Sequence, residues 1–363
     1  MADWTDYIGQ LIFIIFFILI FTGVNQRVQM KIWSYDIRNK LNIIKSYVDD
    51  GRKRVATAMK KLGIREPDPI IMRYLDFFII SPVDIEPTDI IRRLDHLLTT
   101  REKVYKDSLA RVLPGTGKYE RSLLESSLEI IGALNFVYKV IRHYLLLGEK
   151  HNNWILIMQL EFMMPEIMRM VETYHKALDS FMTGRPVGDS AGALVAYRIM
   201  EKGKVVSKRL IDDTLVAEVR HMNRRIYVIK AEGPGSNVGK PGRVLARLVE
   251  ELNGNIDLII TVDAALKLEG EENGEIAEGV GAAIGDPGPE KIAIERAASK
   301  YNIPLRAIAI KMGLKEALHT MRKEIFDAVE RAVEYVEKLI EEHTSENSTV
   351  IVAGIGNSIG VAQ

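Results

Sequence analysis

Apolar and polar positions along the chain divide it into three textures. The first is an unbroken apolar run, Ile8 to Val24 (IGQLIFIIFFILIFTGV), with no charged residue. As a helix rising 1.5 Å per residue it covers about 25 Å, near the lower limit for crossing a bilayer. The second, from Val28 to about Phe181, repeats apolar residues every three to four positions in KLNIIKSYV, IIRRLDHLL and LLESSLEIIGALNFVYKVI. That period predicts amphipathic helices. Breaks at Pro82 and Pro87, and at Pro114-Gly115 with Gly117, divide the region into about five of them. NNWILIMQLEFMMPEIMRM is interrupted by Glu161, Glu166 and Pro165, so it reads as a buried, kinked core helix rather than a second span.

The third texture begins after Thr183-Gly184-Arg185-Pro186. Short apolar runs LVAEVR, RIYVIKA, IDLIITV, LRAIAIK and TVIVAGI read as strands. Helical stretches at Arg243–Leu252, Pro289–Lys300 and Leu314–Glu342 separate several of them. The expected architecture is a membrane anchor (1–27), an all-α helical domain (28–183) and an α/β domain (184–363) with a mixed sheet layered by helices.

Charge decides the orientation of the first segment. Asp3 and Asp6 precede it, whereas Arg27, Lys31, Arg38 and Lys40 follow, so the basic bias predicts an N-out, C-in single span with cytoplasmic C-terminal domains. Trp4, Tyr7, Trp33 and Tyr35 suit the two interfaces, and no small-residue cleavage site follows the run. Over all 363 residues, 49 Lys and Arg balance 49 Asp and Glu, which argues against a nucleic-acid partner. The absence of cysteine excludes disulfides, thiolate metal sites and a thiol nucleophile.

Candidate chemistry concentrates where strands end and helices begin, the usual ligand edge of parallel sheets. Asp189 lies in Gly188-Asp189-Ser190-Ala191-Gly192 before the run ALVAYRIM, at a helix N-terminus where a carboxylate is favoured; a simple N-cap is the plain alternative. Asp263 follows the strand IDLIIT, and a turn-forming aspartate is its alternative. Asn357 follows Gly354-Ile355-Gly356 at the end of the last strand. A further loop carries Gly233, Gly235, Ser236, Asn237, Gly239 and Lys240 ahead of a helix. Its amides with Lys240 and Arg243 form a candidate anion site, with a ligand-free connection as the alternative. PGTGK at 114–118 lacks the full phosphate-loop spacing and reads as a turn, and His96, His143, His151 and His175 are dispersed without metal-ligand spacing.

The segments GDSAG (188–192), TVDAA (261–265) and VAGIGN (352–357) resemble, in rotated order, three parts of the hydrogenase maturation proteases and the spore germination protease group. GVGAAIGDPGPEK (279–291) with IPLRAIAIK (303–311) is similar to the germination protease's glycine-rich loop and following strand. The resemblance implies a circularly permuted, phosphorylase/hydrolase-like domain over roughly 184–363. It also implies a peptide or protein substrate, with Asp189 and Asp263 as the two acidic positions. Paired carboxylates can share a proton and activate water, or hold a divalent metal. The maturation proteases add a histidine ligand. Here only His319 and His343 lie between Asp263 and the last strand, with Glu269, Glu275 and Glu278 as possible acidic substitutes. The G-I-G-N turn also resembles that of peptidyl-tRNA hydrolase, whose following histidine is absent, and nucleoside phosphorylases share the broad architecture. As a whole, the chain resembles an archaeal membrane-associated family without an established function. The expected function is a membrane-tethered, peptidase-like hydrolase; a non-catalytic homo-oligomeric scaffold in the lipid bilayer is the alternative.

Overall fold

The computed structural model describes residues 24–77, 89–285 and 288–363. The apolar run that begins at Ile8 and the break at Pro82 and Pro87 lie outside these. Among the described residues the first half is helical: α1 (Val24–Lys61), α2 (Asp68–Leu75), α3 (Ile90–Val112), α4 (Lys118–Lys150) and α5 (Trp154–Thr183). The PGTGK stretch is the α3–α4 connection, where Pro114 cannot continue a helix. One described helix, α4, is long and apolar enough by length and composition to cross a membrane. Its Leu124, Leu128, Ile131, Leu134, Ile141 and Leu145 are buried at helical spacing, which is also the pattern of a packed helix.

Helix α5 runs unbroken through Pro165. The segment, expected to be a buried core helix, is buried on one side only. Ile157, Leu160 and Met164 are buried, while Ile155, Phe162 and Met163 on the other side are exposed.

Two compact units emerge from the contacts, 24–54 with 131–175, and 55–130 with 176–363. In the first, Lys40 pairs with Glu161 at 2.8 Å and the His175 ring stacks on Tyr47 while bonding Asp50. This histidine thus has a structural partner set.

In the second unit the chain changes to α/β after a 3₁₀ turn (Gly188–Ser190). The elements are α6 (Ala191–Lys202), β1 (Lys204–Ile211), β2 (Thr214–His221), β3 (Arg224–Ala231), α7 (Pro241–Glu251), β4 (Leu258–Leu266), β5 (Ile276–Val280), α8 (Pro289–Lys300), β6 (Leu305–Met312), α9 (Leu314–Leu318), α10 (Lys323–His343) and β7 (Thr349–Gly354). They form one mixed seven-stranded sheet, ordered β1-β2-β3-β7-β4-β6-β5. Strands β3, β7, β4 and β6 are parallel, and antiparallel pairs flank them on both sides.

Strands β1 and β5 were not among the runs legible as strands. β1 is largely exposed and polar, and β5 carries glycine and glutamate, so neither shows a buried alternation. Turn chemistry sets the β1–β2–β3 register instead: Asp212-Asp213 and Met222-Asn223 each place two successive residues at positive φ, the geometry of a two-residue hairpin. The long helix expected over Leu314–Glu342 is interrupted, because Thr320 bridges to Val187 between α9 and α10.

The sheet is buried on both faces. Helices α6 and α10 cover one, with Ile325, Val329, Val333, Val336 and Ile340 packed on Ile260, Ile308 and Val352. Helices α7 and α8 cover the other through Leu245, Val249 and Ile294 on Ile259 and Ile351. Each such side chain contributes roughly 1.5–3 kcal/mol by burial, which is why the central strands are continuous apolar runs.

Candidate functional site

The carboxyl-terminal edge of the parallel strands is where the three singled-out segments meet. β7 ends at Gly354, paired with Val262 of β4, so Asp263 is the first β4 residue beyond its neighbour's end. There the β4–β7 ladder ends, with the Ile355 N–H donating to the Val262 carbonyl at 2.8 Å. Asp189 arrives from the 3₁₀ turn before α6. Close approach depends on glycine: a Cβ on Gly192 would lie 2.2 Å from the Ile355 carbonyl oxygen and 2.4 Å from that of Val262. Gly356 has φ +108°, and a Cβ there would lie 2.1 Å from the Asp189 carbonyl oxygen.

Asp189 does not cap its own helix; its Oδ2 accepts the Asn357 backbone N–H at 2.9 Å. Asp263 Oδ1 accepts the Ala264 N–H at 2.8 Å. Asp263 is only 6% exposed, whereas residue Asp189 keeps partial exposure. Burial, and then the Asp189 charge, push the Asp263 carboxyl up to about 8, against the backbone N–H groups of Ala264 and Gly285. Burial also raises Asp189, opposed by the Asn357 N–H. The structure therefore brings Asp189, Asp263 and Asn357 into one neighbourhood.

Asn357 is fixed from the other side. Its Nδ2 donates to Ser236 Oγ at 3.0 Å, its Oδ1 accepts the Ile359 N–H at 2.9 Å, and Ser126 Oγ of α4 donates to Ser236 Oγ at 2.6 Å. A hydrogen-bonded line thus runs from α4 through Ser236 and Asn357 to Asp189. Nothing in the sequence marks Ser126, which occupies an ordinary helix position.

Several groups of the 233–240 loop bond within the protein. Gly239 N–H donates to Asn237 Oδ1, Lys240 N–H to Thr214 Oγ1, and Lys240 Nζ pairs with Glu102 at 2.8 Å. Its carbonyls hold the last residues: Ser358 N–H donates to Asn237 O, Gly360 N–H to Pro234 O, and Gln363 Nε2 to Gly233 O. Arg243, the loop's other cation, is bound to Asp95 at 2.7 Å.

With this geometry in view, the N-terminal domain of a protein of unknown function, DUF1512, matches residues 11–184, and the C-terminal DUF1512 domain of unknown function matches 187–362. The chain belongs to the DUF1512 family. No curated protein matches it. Solved structures that match include a proteasome-assembly chaperone homologue of Mycobacterium tuberculosis, at 13% identity and a TM-score of 0.28, over 45% of this chain and 92% of that one. A likeness at that score carries nothing over.

In this DUF1512 chain no group of three or more His, Asp or Glu among the described residues is placed to hold a metal. Two carboxylates without a histidine are a short donor set for a divalent ion, so no chemistry is routed through one here. Glu275 pairs with Lys311, and Glu278 with Arg306 and Tyr335, so these two acids are engaged away from the pair. Two other buried groups stand out. Lys230, fully buried on β3, is lowered to about 8 by burial and by Lys208, and its Nζ donates to the Ala231 carbonyl. Glu125 on α4 is raised by burial to about 7.

Proposed function

We propose that this protein is a membrane-tethered hydrolase of peptidase-like chemistry, with Asp189 and Asp263 as its water-activating pair. The observation that carries the reading is Asp263 itself. It is a buried carboxyl beside a second carboxyl, on a strand edge, poised to exchange a proton near neutral pH. Asp189, the more accessible of the two, is the base that takes a proton from water, and protonated Asp263 is the acid that gives one to the leaving amine. The Asn357 and Gly285 backbone N–H groups bond the two carboxylates and keep them in place. The three rotated segments, similar to those of the maturation and germination proteases, support a permuted phosphorylase/hydrolase-like domain, and the Ile8–Val24 run supports the tether.

The test is hydrolysis of a mixed peptide pool by the full-length protein, followed by mass spectrometry with and without chelator. Cleavage by the native chain, lost in both Asp189→Asn and Asp263→Asn without early melting, is expected. Equal cleavage by either variant, or none by the native chain, overturns it. The scaffold alternative draws on Ile32, Tyr35, Phe136 and Phe162, which stand exposed on α1, α4 and α5. It expects ligand binding without turnover.

A further inference from the structure

Helix α1 has two apolar faces, and only one is used inside its own unit. Ile37, Leu41, Ile44 and Val48 are buried. On the opposite side Val28, Ile32, Tyr35 and Ile43 are exposed, at 50%, 60%, 68% and 43%. At 100° per residue these four fall within one stripe about 80° wide, roughly opposite the buried set, and share it with the exposed polar residues Asn39 and Ser46. Arg27, Lys31, Arg38 and Lys45 follow the same helical repeat along one flank of the stripe, all exposed, with Arg38 also pairing with Glu149. Asp49 and Asp50 close the stripe at its carboxyl-terminal end.

An outward apolar stripe flanked by a row of cations is the pattern of a helix lying in a membrane interface. Its surroundings narrow the occupant further. The uncharged Ile8–Val24 run ends on the first residue of α1, so with the run as the tether α1 starts where it meets the headgroups. Cations next to a span face the anionic leaflet and are drawn to it.

We propose that the outer face of α1 docks on an anionic lipid surface, its apolar stripe sinking to the acyl boundary and Arg27, Lys31 and Lys45 meeting lipid phosphates and carboxylates. The inference rests on the tether reading, and it adds a second, peripheral attachment that sets how the rest of the chain is held over the bilayer.

The chain has no cysteine, so single-site labelling is clean. Full-length Ile32→Cys, Tyr35→Cys and, as an aqueous control, Glu341→Cys carry a nitroxide and are reconstituted in vesicles of phosphatidylcholine alone or with a third phosphatidylglycerol. Accessibility to oxygen against a water-soluble nickel chelate reads depth. In anionic vesicles the labels at 32 and 35 are expected to gain oxygen accessibility several-fold over the control. Arg27→Gln with Lys31→Gln and Lys45→Gln should abolish the gain, as should phosphatidylcholine alone. Labels that stay aqueous in both lipids overturn the docking, as do labels broadened by spin–spin coupling, which would put a second copy on this face. Flotation separates the two readings: protein that does not float loses the tether, whereas protein that floats with aqueous labels loses only the docking.

Discussion

Two aspartates in the α/β unit, Asp263 and Asp213, are pushed in opposite directions by their surroundings. Asp213, in the β1–β2 turn, loses some hydration on folding, but hydrogen bonds from Lys106 at 2.6 Å and Lys118 at 2.8 Å outweigh that and hold it at about 2. Asp263 is raised to about 8 by burial first, and then by a second carboxyl in place of a cation. The paired acid is structural: through Lys106 and Lys118 it ties α3 and the start of α4 to the hairpin, with Glu102 and Lys240 extending the network. The unpaired one keeps an exchangeable proton in the range where chemistry runs. What separates them is burial as well as the neighbour: Asp263 is 6% exposed beside a carboxyl, and the Asp213 side chain is 26% exposed beside two lysines.

The largest effect should come from the unpaired acid. Asp263→Asn is expected to lower turnover by about 10²-fold or more without early melting, because Asn imitates the neutral carboxyl: the variant should melt with the native chain near pH 4 and later than it near pH 7. An inactive variant that also melts early would make Asp263 structural and erase the contrast with Asp213.

Next comes the pH dependence of stability. Folded Asp263 keeps its proton up to about 8, whereas the unfolded chain releases it near the ordinary value of 3.8. The folded state therefore binds more protons across that window. Stability falls as pH rises through it and levels off above, by on the order of a few kcal/mol. Asp213 works in the opposite sense: its contribution is present above the ordinary value of 3.8 and lost as pH drops toward about 2. Urea titrations between pH 4 and 9 should show the decline in the native chain and a flatter profile in Asp263→Asn. A profile that rises with pH would contradict the raised acid.

Gly356→Ala should cost about 2–3 kcal/mol, since φ of +108° and the Asp189 carbonyl both oppose a side chain there. Asp213→Asn should cost about 1–2 kcal/mol through weakened lysine contacts, measured by the urea midpoint, with little effect on turnover. Ser236→Ala is the mildest, at roughly 1 kcal/mol. It frees the Asn357 amide, and so should lower kcat more than it shifts melting.

Much of the scaffold was legible. Local period alone marked the helical first half, and the five central strands were visible because burial on both faces makes Ile226–Ala231, Leu258–Val262 and Val350–Ala353 almost wholly apolar. β1 and β5 were illegible because an edge strand needs no apolar alternation; its place is fixed by the Asp212-Asp213 turn or by hydrogen bonds to β6. Of the site, the types and positions of Asp189, Asp263 and Asn357 could be singled out from turn and strand-end context. Their shared neighbourhood could not, because Asn357 and Asp189 are separated by the whole sheet in sequence and joined by one hydrogen bond in space.

The loop at 233–240 shows the same division. Its glycines, Asn237 and Lys240 suggested an anion cradle, and folding gave those donors to Thr214, to Glu102 and to one another. By itself, then, the sequence determined the order of helical and α/β regions, the apolar run ahead of α1, and which residue types stand at strand ends. All of these follow from local periodicity and composition. Only the tertiary structure decided which carboxylates are paired, which is left to hold a proton, and which serine reaches Asn357. Those properties depend on long-range neighbours and on the loss of water around them, and neither is written in any one segment of the chain.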